Sequence, residues 1–129
     1  MRILYIGDSN PSSTSFHRAE ALKRIGHTVE ILDLKKIVFT SLNKYIAAFH
    51  YRTGYVFLQN TVKKQLNKIN LPTYDLVWVN SGEFLGSRVL KYLKSNCKAK
   101  LILYNNDDPT GGRDGMRFYT LLQSLKMYD

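Results

Sequence analysis

Carboxylates, amides and hydroxyls crowd three short stretches of this 129-residue chain. Asp8, Ser9, Asn10 and Ser13 stand in the first, Asn80, Ser81 and Glu83 in the second, and Asn106, Asp107 and Asp108 in the third. Side chains of these types hold hydroxyl-rich ligands through paired donors and acceptors, and a free carboxylate can take a proton. His17 follows the first stretch closely. Its imidazole suits the removal of a proton from a hydroxyl nucleophile near neutral pH, with Asp8 or Asp108 fixing the tautomer. Adjacent Asp107 and Asp108 repel each other, which is easiest to explain if one meets a cation, a hydroxyl-rich ligand or a basic partner such as Arg113. Each stretch alone also reads as turn and cap chemistry, and His17 as an exposed helix residue. Only convergence of the three would make them a site.

Each polar stretch leaves a short apolar run. Arg2 to Ile6, closed by Gly7, reads as a strand; Phe16, Ala19, Leu22 and Ile25 then recur at helical spacing, with Ser13 or Ser15 as cap and Gly26 as stop. Val29 to Leu32 reads as a second, buried strand. A strand, helix and strand within about thirty residues form a βαβ unit, which implies parallel strands with helices on both faces. Leu76 to Val79 and Leu101 to Tyr104 supply two more strands, so the fold class is α/β with a parallel sheet of about four strands. Ligands of such sheets bind beyond the carboxyl ends of the strands, and all three polar stretches lie there.

Between the second and third strands, about residues 35–72, lies an insertion too long to be a bare loop. Leu42, Tyr45, Ile46 and Phe49 predict one helix, and Tyr55, Leu58, Val62, Leu66 and Ile69 a longer one after the break at Thr53-Gly54. The formal charge of +9 is concentrated here: residues 35–70 hold seven Lys or Arg and no acid. Basic residues among Phe39, Tyr45, Phe49, Tyr51, Tyr55 and Phe57 suit an anionic membrane surface, although most of these rings are expected in the core. After the second polar stretch, Phe84, Leu85, Val89, Tyr92 and Leu93 trace a helix. Phe118, Leu121, Leu122, Leu125 and Tyr128 trace a last one, with Asp114 as its expected cap. The dipeptide Tyr-Asp precedes the third strand and recurs at Tyr128-Asp129, so a further strand of a longer protein is expected to follow.

A chain with 44% hydrophobic residues and this length is expected to bury one core, removing roughly two-thirds of its unfolded surface from water, so residues 1–129 read as a single domain. Lone Cys97 excludes an internal disulfide, and no run has the length and apolarity of a signal peptide or a membrane-spanning helix, which points to the cytoplasm. No His or Cys pair has metal-ligand spacing, and neither a Walker loop nor the three-glycine dinucleotide fingerprint occurs.

The run Ile3-Leu4-Tyr5-Ile6-Gly7, the Ser-rich loop, and Ala21-Leu22-Lys23-Arg24-Ile25-Gly26-His27-Thr28-Val29 resemble the opening of GT-B glycosyltransferases. Tyr74-Asp75-Leu76-Val77 and Tyr104-Asn105-Asn106-Asp107-Asp108-Pro109 are similar to the CgeB-like bacterial branch of that superfamily. The resemblance implies a Rossmann-like, three-layer N-terminal domain that holds a carbohydrate or other hydroxyl acceptor. A C-terminal donor-binding domain would supply the nucleotide sugar as co-substrate, with no cofactor in this half, and the fragment alone would be inert. It also implies that an inverting member draws its base from His17, Asp8 or Asp108. The basic insertion then fits a membrane-peripheral enzyme or an anionic acceptor.

Three rivals remain. A flavodoxin-like module would cradle a phosphate at Ser12-Ser13-Thr14-Ser15. A response-regulator receiver is disfavoured because Asn80-Ser81 stands where its phosphoryl-accepting Asp belongs. Nucleic-acid binding rests on charge alone, without a recognition motif, and ranks last.

Overall fold

The computed structural model describes residues 1–129 and contains four strands, β1 (Arg2–Ile6), β2 (Thr28–Leu32), β3 (Leu76–Asn80) and β4 (Lys100–Tyr104). They pair in the order β2-β1-β3-β4, all parallel, with Tyr5 opposite both Ile31 and Trp78, and Trp78 opposite Ile102. The alternation of apolar runs and helical stripes predicts this parallel α/β sheet, and the domain is Rossmann-like, as the resemblance implies. Because β1 is followed in sequence by β2 on one side and flanked by β3 on the other, the strand order switches between β1 and β3. Their exits diverge there and leave a crevice.

Alternation along the strands divides the core in two. Leu4, Ile6, Val77, Val79 and Leu101 face one side and are covered by α2 (Leu34–Phe39), α4 (Gln59–Leu66) and α5 (Ser87–Asn96) through Leu34, Val38, Val62, Leu66, Val89, Leu90 and Leu93. On the other side α1 (Thr14–Arg24) buries Ala19 beside Ile3 and Tyr5. Edge strand β2 is half-exposed, not buried as its sequence suggests, because nothing pairs with its outer side. Leu32 packs against the core on the α2 side, and α1 lies along the other face of the strand.

The insertion carries the two expected helices, α3 (Lys44–Arg52) and α4, joined by a single 3-10 turn at Val56–Leu58, and also α2, which the periodicity did not reveal. At six residues α2 is too short for a pattern; its signal is the N-cap Asp33, whose carboxylate accepts the Lys36 N–H at 2.8 Å. The expected burial of the insertion's rings fails at α3, which buries none of its residues, whereas Tyr55 is enclosed. Gln59 on α4 ties the insertion to the β3 exit: its amide donates to the carbonyls of Tyr55 and Phe84 and accepts the Gly86 N–H at 2.7 Å, where α5 starts. α5 therefore begins after Phe84 and Leu85, which occupy the turn before it.

The final helix, α6 (Tyr119–Ser124), is shorter than expected and has no side-chain cap; Asp114 pairs with Arg113 at 2.8 Å instead. Beyond it, Asp129 lies on the free edge of β4. Its N–H donates to the Leu101 carbonyl and its carboxylate accepts the Leu101 N–H, both at 2.8 Å. Asp75 grips Arg2 in the same two ways, at 2.8 and 2.6 Å, and leads directly into β3. No helix is long and apolar enough to cross a membrane.

Asp33 also receives the Ser9 N–H and hydroxyl, at 2.9 and 2.8 Å, and so fastens the β1 exit to α2. Burial alone would raise this carboxyl, but the Lys36 and Ser9 donors outweigh it and hold it below its ordinary value. A lowered native pKa means stability that is complete above the ordinary value and lost as pH falls through the native one. Asp33→Ala should therefore cost about 1–2 kcal/mol at pH 7 in urea unfolding, a typical loss for an N-cap. The deficit should narrow once the medium is acid enough to protonate Asp33 in the parent protein.

Candidate functional site

The crevice at the switch point is an open cleft of about 250 Å³. The β1 exit contributes Gly7 and Asp8, the β3 exit Asn80 to Glu83, and the β4 exit Asn106 and Asp107. Ser13 to Ser15 at the start of α1, Lys35 of α2 and Arg117 complete the wall. Asp8 and Lys35 also line a neighbouring hollow, and Lys35, Glu83 and Arg117 a groove toward α3, so the cleft is continuous with the surface around it.

A buried chain of hydrogen bonds braces its floor. The Asp8 N–H donates to the Ser15 hydroxyl at 3.1 Å, Ser15 donates to the Tyr5 hydroxyl at 3.4 Å, and Tyr5 donates to Asn80 Oδ1 at 3.2 Å. Arg18 donates to the same Asn80 oxygen and lies over the Tyr104 ring, 3.8 Å from its centroid. Tyr5 is fully buried, and this relay satisfies its hydroxyl. Gly7 permits the close approach of α1: a Cβ there would come within 2.5 Å of the Ser15 hydroxyl and 2.6 Å of the Tyr5 ring.

At the β3 exit, Ser81 and Gly82 both take left-handed backbone, at φ 72° and 71°. For Ser81 this conformation is strained, and for Gly82 a side chain would also meet Leu103, Leu121 and Tyr128. The Ser81 N–H donates to the Tyr104 carbonyl at 2.8 Å, which holds the turn against β4. The turn drives Glu83 inward, where its side chain is 8% exposed and its Oε2 accepts from Arg117 Nε at 2.6 Å. Arg117 also lies 3.8 Å from Asp107 and 3.7 Å from Asp114, and packs against the rings of Phe118 and Tyr51. Burial pushes the Glu83 carboxyl up against the pull of Arg117, whose own pKa the carboxylate raises.

Of the residues singled out in the sequence, Asp8, Ser13, Asn80, Ser81, Glu83, Asn106 and Asp107 line the cleft. They are not equally free. Ser13 caps α1 by accepting the Phe16 N–H, Asn80 is held by Tyr5 and Arg18, and Glu83 is held by Arg117. Asp8 accepts the Asn10 N–H on Oδ1 at 2.8 Å and keeps its other oxygen open. Ser9 and Asn10 lie in a shallower hollow beside the cleft, Ser9 bound to Asp33 and Asn10 accepting from Ser12.

His17 and Asp108 are not brought in. His17 is exposed on α1, edge-on to Phe16, and neither Asp8 nor Asp108 bonds to its ring. Asp108 folds onto its own loop and accepts the Thr110 N–H and hydroxyl at 2.9 and 2.8 Å. Those two donors hold its carboxyl below the ordinary range, which makes it a poorer base. Arg113, expected to answer the Asp107-Asp108 pair, turns to Asp114. Arg117 and Lys35 were missed, since nothing in the sequence marks one Arg or Lys among many as cleft-facing. No group of three or more His, Cys, Asp or Glu is arranged to hold a metal ion.

Comparison with known proteins adds no relative: no family model matches the chain, and neither a curated protein nor a solved structure is significantly similar to it.

The Glu83–Arg117 pair yields a signed prediction. Arg117→Met strands a buried carboxylate and should cost about 3 kcal/mol at neutral pH. A carboxyl raised by burial favours folding most when protonated, below its ordinary value, and that contribution is lost as pH rises through the native value. The variant should therefore regain stability as pH falls toward 4.5; denaturation midpoints that stay depressed equally at pH 8 and pH 5 would contradict this account.

Proposed function

We propose that this chain is the N-terminal, acceptor-side domain of a cytoplasmic GT-B glycosyltransferase of the CgeB-like bacterial branch, transferring sugar from a nucleotide-activated donor to a hydroxyl acceptor. The observation that carries this reading is the convergence of Asp8, Ser81 and Asp107, from three different strand exits, on one open cleft. An open half-site suits a reaction whose donor is held by a facing domain. Such a domain needs donors and acceptors for hydroxyls and one carboxylate with a free oxygen. Of the three candidate bases, Asp8 alone lines the cleft and keeps a carboxylate oxygen free, so the base of an inverting transfer is assigned to Asp8 in preference to His17 or Asp108. The role of the base is to accept the acceptor hydroxyl's proton as that oxygen attacks the anomeric carbon and the nucleotide leaves.

A flavodoxin-like phosphate site is the second reading, favoured by Lys35 beside the start of α1. It is weaker, because Ser13 and Ser15 already spend their hydroxyls on the Phe16 and Asp8 N–H groups.

Amide chemical shifts of the 129-residue chain distinguish the two. Simple methyl glycosides should move Gly7, Asp8, Ser81 and Asp107, while FMN and inorganic phosphate leave them in place; the reverse pattern would replace the transferase reading with the phosphate-binding one. In a protein that also contains the donor-binding half, Asp8→Asn should lower turnover by about 10²–10⁴-fold, the usual contribution of a general base. His17→Ala should leave it unchanged, and full turnover by the Asp8 variant would remove Asp8 from the role.

A further inference from the structure

The insertion presents a surface that the cleft does not use. Two rings of α3 stand well out in water, Tyr45 at 74% and Phe49 at 51% exposure, whereas Tyr51 turns to the other side of the helix, where Arg117 and Asp114 meet it. Phe57, on the 3-10 turn after α3, is 65% exposed and stacks on Phe49 with ring centroids 5.6 Å apart and planes 20° apart. That stacking joins helix and turn into one face, which Ile46 and Val56, both 42% exposed, extend. Lys44 and Arg52 stand at the two ends of α3, and residues 35–70 contain no acidic side chain against seven Lys or Arg.

We infer that this face docks the domain on an anionic lipid bilayer. A nine-residue helix is about 14 Å long, too short to span a bilayer but suited to lying in its interface. There Tyr45, Phe49, Phe57 and the aliphatic Ile46 and Val56 reach the acyl boundary while Lys44 and Arg52 meet headgroup phosphates. The aliphatic members favour lipid over nucleic acid, where bases would stack on the rings and leave Ile46 and Val56 wet. Lys44 and Arg52 at the two ends of the face disfavour a second copy, since two such faces repel. The inference does not rest on the transferase reading. A groove lined by Ala47, Ala48 and Tyr51 of α3 also holds Glu83 and Arg117, so docking would set the cleft beside the membrane.

Flotation of the 129-residue chain with phosphatidylglycerol–phosphatidylcholine vesicles, and with phosphatidylcholine alone, tests this. Binding should require the anionic lipid and weaken with salt. Phe49→Ser with Phe57→Ser should lower the partition coefficient about tenfold or more. Lys44→Glu with Arg52→Glu should lower it about 25-fold or more, since each cation near an anionic surface contributes roughly fivefold. Thermal midpoints should hold in both pairs, because the substituted side chains are exposed. Absence of vesicle binding, equal binding to neutral vesicles, or binding indifferent to both pairs would overturn the inference. So would a dimer in sedimentation that the Phe pair dissolves, or salt-sensitive binding to RNA that outcompetes the vesicles.

Discussion

A carboxylate cannot sit at the end of a buried strand without an answer, and in this protein Arg117 supplies it. Glu83 is turned inward by the left-handed backbone of Ser81 and Gly82, and Arg117 reaches it from 34 residues away in sequence. Because the guanidinium also faces Asp107, Asp114 and the rings of Tyr51 and Phe118, one side chain couples the exits of β3 and β4 with α3. With the buried ring of Phe118 and the Tyr51–Asp114 hydrogen bond, it holds the segment between β4 and α6 over the cleft. The energetic logic is that of a buried pair: breaking it is costly, although the pair as a whole contributes little net stability against an apolar alternative.

The same economy runs through the cleft floor. Tyr5 sits in the central strand with a hydroxyl that must bond somewhere, and its partners Ser15 and Asn80 belong to α1 and to β3. One phenol thus fixes the first helix relative to the third strand. Asp33 does the equivalent work at the outer rim, joining Ser9 to the first turn of α2. Polar residues that look like ligand contacts in the sequence are in part the fixtures that give the remaining contacts their geometry. Asp8 is left with an open oxygen because only the Asn10 N–H meets its carboxylate.

The sheet is unevenly covered. One face is sealed by α2, α4 and α5, whereas on the other α1 lies against β1 and β2, and Tyr104 of β4 stays 39% exposed beneath the Arg18 guanidinium. A cation over a ring shields such a residue without a helix. The insertion shows the opposite treatment: its apolar α3 is left in water while Tyr55, a few residues on, is enclosed against Phe84 and Phe39.

Local pattern determined much of this protein. Apolar runs closed by polar loops, with helical stripes between them, determine a parallel α/β sheet and place Asp8, Asn80 and Asp107 at its carboxyl edge, because side-chain period and crossover length are properties of neighbouring residues. Pattern could not tell which polar groups stay free once folded. Ser9, Asn80 and Glu83 look as available as Asp8 in the sequence, yet Asp33, Tyr5 with Arg18, and Arg117 claim them. Nor could it tell that the stripe of α3 faces water while that of α4 faces the core, since amphipathicity gives a helix a side but not a partner. Those choices are made by pairings distant in sequence, which exist only when the chain has closed on itself.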